Sequence, residues 1–281
     1  MKKTVILIIA LLFAALCVNV FAQNATAFNV KKTGKGNRSI IFIPGFACSG
    51  DVWKETTPLF EKDFTCYTLT MPGFAGQPAE ADPSFKGWED AIAGYIKKNN
   101  IDKPIIIGHS MGGGLALALA SDYPDVIGKI VVVDALPCLS AIMNKAFKSK
   151  ENNDCSPVVK QFTAMSDSVF LQMQKHTMPR LVAETSKVAQ VVEWSMLSDR
   201  KTFAQMYCDF SNTDLREKIA TIKCPSLILL EQPFSTLTDA INDEYKNLKT
   251  GQLVYATKGL HFIMYDDTAW FNQQITRFTA Q

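Results

Sequence analysis

Few backbone paths are open to residues 104–114. Pro104-Ile105-Ile106-Ile107 is an apolar, β-branched run, and Gly108-His109-Ser110-Met111-Gly112 follows it directly. Gly113 and Gly114 come next, then Leu115-Ala116-Leu117-Ala118-Leu119-Ala120, a strong helix-forming stretch. A strand that passes through one sharp turn into a helix belongs to a βα unit of a layered α/β fold. Small residues two before and two after Ser110 let the strand and helix backbones approach one another. The turn lifts the Ser110 hydroxyl off the sheet and sets it at a helix amino terminus, whose N–H groups favour developing negative charge. That setting makes Ser110 a candidate nucleophile rather than an incidental serine in a glycine-rich turn.

The same alternation runs along the chain. Strands are expected at 39–43, 65–70, 104–108, 129–134, 226–230 and 252–257, with a further edge strand at 25–32. Several are apolar almost throughout, as strands covered by helices on both faces are. Trp88, Ile92, Tyr95 and Ile96 recur at helical spacing after Ser84, a plausible cap, and read as helix-to-sheet packing. The fold class is α/β, a mostly parallel central sheet flanked by helices. The rhythm breaks over 137–221, which is helical in flavour, methionine-rich and too long for a simple crossover. This segment is expected to form a helical lid, inserted before the penultimate strand, over the carboxyl ends where open α/β sheets bind ligands. Its methionines and Phe147, Phe162, Phe170 and Phe203 mostly pack the lid itself.

The amino-terminal 22 residues stand apart from this pattern. Met1-Lys2-Lys3 is basic, residues 5–16 are apolar, and Val20-Phe21-Ala22 fits cleavage before Gln23. These features predict a signal peptide cut after Ala22, a periplasmic or secreted product and no stable membrane insertion. Leu16 before Cys17 is a poor fit to lipoprotein processing. Cleavage would leave 259 residues, 23–281, a length that suits one α/β domain, and the loss of Lys2 and Lys3 would bring the net charge from +2 to zero. That balance argues against nucleic acid or an anionic membrane as a partner. Six cysteines remain, in no recognisable disulfide framework or metal motif; Cys138 and Cys155, in one irregular polar segment, are the first pair to test, against the alternative that most are buried thiols acting as small apolar residues.

A serine nucleophile needs a base, an orienting acid and donors for the oxyanion. The chain has three histidines: His109 beside Ser110, His176 in the expected lid, and His261. His261 follows the last expected strand in Lys258-Gly259-Leu260-His261-Phe262, so it reaches the same sheet edge as Ser110 and is the expected base. Ile43-Pro44-Gly45-Phe46-Ala47 turns sharply after the first central strand, which would aim the N–H of Phe46 alongside that of Met111 as an oxyanion hole. One such donor is typically worth about 2.7–4 kcal/mol.

Together the Gly108-His109-Ser110-Met111-Gly112 elbow, Pro44-Gly45-Phe46, Asp134 closing Val131-Val132-Val133, and His261-Phe262-Ile263-Met264-Tyr265-Asp266-Asp267 resemble the α/β-hydrolase superfamily. The resemblance runs from Asn37 to the carboxyl terminus and is nearest to single-domain lidded members, among them esterases, lipases, aminopeptidases and cofactor-free haloperoxidases. Most members take their acid from a Gly-x-x-Asp turn after the strand expected at 226–230, where this chain has Glu231 and Phe234 instead. A smaller set takes it from the end of the preceding strand, where Asp134 stands. Asp134 is the expected acid, with a mere backbone-capping role as its alternative; Glu231 is second and Asp239 third.

The resemblance implies a serine hydrolase that cleaves a small-molecule ester through an acyl-enzyme on Ser110, with no metal or cofactor. Aminopeptidase, acyltransferase, perhydrolase or carbon–carbon hydrolase chemistry would use the same constellation, and a low-turnover ligand-binding protein on this fold is a rival of a different class.

Overall fold

A computed structural model describes residues 28–281; the expected signal peptide lies outside the described residues. The strands are β1 (Asn29–Thr33), β2 (Arg38–Ile43), β3 (Phe64–Thr70), β4 (Ile105–His109), β5 (Lys129–Val133), β6 (Ser226–Leu230) and β7 (Gly251–Tyr255). They form one sheet in the spatial order β1-β3-β2-β4-β5-β6-β7. Every neighbouring pair is parallel except β1 with β3, an antiparallel edge. β6 takes its expected bounds. β7 begins and ends early, at 251 and 255; the edge strand occupies 29–33, and residues 25–27 of its expected range lie outside the described residues. β4 runs on to His109, whereas β5 stops at Val133 because Asp134 turns out of the strand with φ +48°.

Strand periodicity divides the interior in two. On β2, Ile41 and Ile43 join the core on one face, with Leu69, Ile106 and Val132. Ile40 and Phe42 join the core on the other, with Cys66, Ile107 and Val131. Helices α1 (Phe85–Lys98) and α2 (Met111–Asp122) cover the first face. Ser84 Oγ caps α1, accepting from the Gly87 N–H at 3.0 Å, and Trp88, Ile92 and Ile96 face the sheet.

Between β5 and β6 the chain forms α3 (Ser156–Thr163), α4 (Asp167–Thr177), α5 (Thr185–Leu197) and α6 (Arg200–Asn212). No strand interrupts this stretch. Phe170, Phe203 and Met206 are buried in the core. Beyond β6 come α7 (Thr238–Tyr245), α8 (Ile263–Asp266) and α9 (Thr268–Ala280), the last covering the second face through Phe271, Ile275 and Phe278.

The disulfide expectation is corrected. Cys155 pairs with Cys208, Cα–Cα 5.7 Å, and the bond fastens the start of α3 to α6. Cys138 is a buried free thiol. Its backbone N–H donates instead to Glu244 Oε2 at 3.0 Å, so residue 138 is anchored beside α7. Closeness in sequence misled here, since the irregular segment carries residue 155 away from residue 138. Cys48, Cys66 and Cys224 are also buried thiols. Among the described residues no helix is long and apolar enough to cross a membrane.

Candidate active site

Three non-glycine residues with positive φ sit just past the carboxyl ends of adjacent strands: Ala47 (+56°) after β2, Ser110 (+52°) after β4 and Asp134 (+48°) after β5. Each such conformation costs on the order of 1–3 kcal/mol and persists only where the surroundings impose it. At Ser110 the sheet does so: its N–H donates to the Val133 carbonyl at 2.8 Å, while its own carbonyl accepts from the Gly114 N–H at 3.0 Å. At Asp134 the N–H donates to the Leu229 carbonyl at 2.7 Å. Ser110 Oγ caps no helix N–H, which leaves the hydroxyl available at the cavity it lines.

The loop after β2 and the start of α2 touch. A methyl group on Gly112 would lie 2.5 Å from the Ile43 carbonyl oxygen, and one on Gly45 would lie 3.3 Å from Ser110 Cβ. Phe46 and Met111 therefore start from backbone segments in contact around Ser110. The Phe46 side chain packs edge-on against Phe74 and Phe203, ring centroids 5.2 and 4.5 Å away.

His261 Nδ1 lies 2.6 Å from Asp134 Oδ2. The carboxylate must accept, so Nδ1 carries the proton and a neutral ring keeps its lone pair on Nε2. Asp134 is itself held in place, because its Oδ1 accepts from the Glu231 N–H at 2.7 Å. Burial pulls the His261 pKa down, but the hydrogen bond and charge of Asp134, with the Glu231 charge, outweigh it and leave the pKa above the ordinary histidine value. Glu231 is half-buried. Burial and the Asp134 charge push its carboxyl up to about 7, against the opposing pull of His261. Of the three carboxylates proposed from the sequence, the one bonded to His261 is Asp134. Asp239 lies on α7 and lines neither cavity at Ser110.

Two contacts here have no clear sequence signal. His109 Nε2 lies 2.9 Å from the His261 carbonyl, so it donates and ties the elbow to the histidine loop. Burial and the neighbouring His261 hold the His109 pKa well below the ordinary value, which keeps the ring neutral. Asp266 is the second. Its Oδ2 accepts from the N–H groups of Leu260 (2.8 Å) and Ala183 (3.1 Å), and its Oδ1 from that of Glu184 (2.8 Å). Gly259, at φ +91°, lets the loop fold back onto Asp266, where a Cβ would lie 2.4 Å from the Asp266 Cβ. Acidic residues in a helical run look like solvated surface, which hides such a role. His176 stands apart on α4, with Arg180 Nη2 at 2.8 Å.

Two chambers meet at Ser110 and His261. One, about 210 Å3, is walled by Phe46, Met178, Leu181, Val191, Tyr207 and Phe262. The other, about 290 Å3, is walled by Leu136, Phe210, Phe234, Asp134 and Glu231. Larger surface hollows of about 520 and 620 Å3 lie elsewhere, and neither contains a histidine. Among the described residues no group of three or more His, Cys, Asp or Glu is placed to hold a metal ion.

A serine on a strained strand–helix turn, a histidine loop after the last strand and a seven-stranded, mostly parallel sheet define the α/β-hydrolase fold, and this chain has it. The sequence model of the family described as alpha/beta hydrolase fold matches residues 38–154. Among curated proteins, the chain is 28% identical over 99 residues to the pimeloyl-[acyl-carrier protein] methyl ester esterase of Aromatoleum aromaticum, a match covering 35% of this chain and 38% of that one. To the same-named esterase of Wigglesworthia glossinidia brevipalpis it is 24% identical, over 69% of this chain and 74% of the relative. Over the aligned stretch it thus spans under two-fifths of the former relative and about three-quarters of the latter. Among solved structures, the enol-lactonase from Burkholderia xenovorans superposes with a TM-score of 0.74 at 15% identity, covering 90% of this chain and 96% of that one. At that identity the likeness concerns the fold.

Proposed function

We propose that the protein is a serine hydrolase of ester-type small molecules. The reading rests on one observation above the others: His261, bonded through Nδ1 to Asp134 at 2.6 Å, lines the same cavities as Ser110. Ser110 Oγ attacks the acyl carbonyl carbon and its proton passes to His261 Nε2. The negative charge forming on the carbonyl oxygen is met by the N–H groups of Phe46 and Met111. Asp134 keeps the proton on Nδ1 and stabilises the imidazolium without itself taking a proton. Collapse of the tetrahedral intermediate breaks the ester C–O bond, and His261 returns the proton to the departing alcohol. Water then attacks the acyl-serine by the same route, releasing the acid and restoring Ser110. Both curated relatives reported above bear the name of methyl ester esterases, which favours an ester over an amide or a carbon–carbon bond.

The stretch between β5 and β6 acts, in this reading, as a lid over 137–221, because Tyr207 and Phe210 of α6 and Met178 and Leu181 of the connection between α4 and α5 wall the chambers. Export after cleavage at Ala22 belongs to the same proposal. The Cys155–Cys208 bond supports it, since structural disulfides persist in oxidising compartments.

Labelling with a fluorophosphonate probe, with and without Ser110→Ala, tests the whole. Wild-type protein should be labelled at Ser110 and should turn over short nitrophenyl esters. The variant should lose both while keeping its circular dichroism spectrum. Turnover reduced only a few-fold by Ser110→Ala would refute the nucleophile.

A further inference from the structure

Beyond the bond that is cut, the two chambers differ in what they can recognise. The 210 Å3 chamber has no Lys, Arg, Asp or Glu in its wall. The 290 Å3 chamber has two carboxylates, and only one of them is committed: Asp134 has one oxygen on His261 and the other on the Glu231 N–H. The Glu231 side chain takes part in no hydrogen bond or ion pair within the described protein, although it borders the cavity that holds the reacting serine. No Lys or Arg lines either chamber. Near Glu231 lie Asp134, Asp266 and His261, the last neutral when it serves as base, so the local field is negative. The rings of Phe210 and Phe234 share the same wall. A half-buried carboxylate with unused acceptor capacity, a negative field and aromatic walls are together the chemistry that receives an ammonium group.

We propose that Glu231 is a specificity-determining residue that binds a protonated amine or quaternary ammonium on one end of the ester, while the other end, uncharged and apolar, fills the smaller chamber. This rests on the hydrolase reading above. Substrates bearing a carboxylate or phosphate at that end are disfavoured, because they would meet Glu231 and Asp134 with no cation to offset them. Burial works against the charged form of Glu231, and a bound cation reverses that effect, so the carboxylate and the ammonium stabilise one another.

Two matched substrate pairs test the inference: a choline ester against its neutral carbon isostere, and an amino-acyl ester against its des-amino analogue. Each pair is assayed with wild-type and Glu231→Gln protein. In at least one pair the wild type should favour the charged member by about ten- to a hundredfold in kcat/KM, the scale of a hydrogen bond to a charged group. Glu231→Gln should bring that ratio to within about twofold of unity. Fluorophosphonate labelling of Ser110 in the variant shows that its site is folded. Neutral-ester turnover with no ammonium preference in either pair, or a preference that survives Glu231→Gln, would overturn this inference alone. Loss of all ester turnover and of labelling in the wild type would overturn the hydrolase reading and this inference with it.

Discussion

Helix α2 and helix α3 are both short, yet they are made on opposite terms. Nearly every residue of α2, Met111 to Ser121, is buried between the sheet and its neighbours. No residue of α3, Ser156–Thr163, is buried, and its start is fastened by a disulfide instead. The difference separates a frame from a wall. Ser110, Asp134 and His261 are carried by the carboxyl ends of central strands and the loop after β7, where hydrogen bonds and packing dictate even unfavourable dihedrals. The stretch between β5 and β6 supplies Met178, Leu181, Val191, Tyr207 and Phe210 to the chamber walls. On the proposed reading the chemistry rests on the frame, and the wall shapes the apolar part of the pocket.

Substitutions can break that division or sharpen it. The largest expected effect is from the frame: His261→Ala should lower kcat by about 10⁶, the cost of removing the base in a comparable triad. Steady-state turnover of a nitrophenyl ester reads it, and a loss below tenfold would remove His261 from the mechanism.

Asp134→Asn comes next. An amide can donate to Nδ1 and hold the wrong tautomer, so a loss of about 10² to 10⁴ in kcat is expected. Glu231→Gln should cost under about tenfold with a neutral ester, because Glu231 makes no bond to the imidazole. The pH profile sharpens this comparison. The base acts when deprotonated, and Asp134 holds the His261 pKa above its ordinary value, so activity is present above that raised pKa and lost as pH falls through it. Removing the Asp134 charge lowers the pKa and should move the acidic limb of kcat/KM to lower pH. A limb that stays in place would assign it to another group.

In the wall, Cys155→Ser with Cys208→Ser should cost about 2–4 kcal/mol of stability, or a fall of roughly 5–15 °C in Tm. Calorimetry reads it, with little change expected in labelling of Ser110. The smallest effect is that of Tyr207→Ala, which enlarges the chamber beside Phe46. Selectivity among acyl chain lengths should shift toward longer chains by under about tenfold. If it cost as much as Asp134→Asn, the separation of frame from wall would fail.

What the sequence revealed follows the same line. Periodicity and β-branched runs marked the strands, because a sheet covered on both faces leaves an unbroken apolar imprint. Ser110 and His261 stood out through local context, the first by its strand–turn–helix setting and the second by its place after the last strand. The Asp134–Glu231 choice was harder, because it depends on where two adjacent strands end, and boundaries shift by a residue or two: β5 stopped at Val133, leaving Asp134 free to turn. The Cys155–Cys208 pairing was not legible, since it follows from how α3 packs on α6 and not from spacing. Nor were His109 and Asp266 visible as linkers, because their partners are backbone groups from distant segments.

The hydrogen bond from His109 to the His261 carbonyl spans 152 positions of sequence, and that from His261 to Asp134 spans 127. Contacts so far apart along a chain close late in folding, once the loop entropy between them has been overcome. The turn at Ser110 can be set once β5 has joined β4, since its N–H is held by the Val133 carbonyl, but on the proposed mechanism it would stay inert until the segment beginning at Gly259 docks. On the proposed mechanism hydrolytic activity would be the last property the chain acquires, and its appearance during refolding would time the arrival of the carboxyl terminus rather than the collapse of the core.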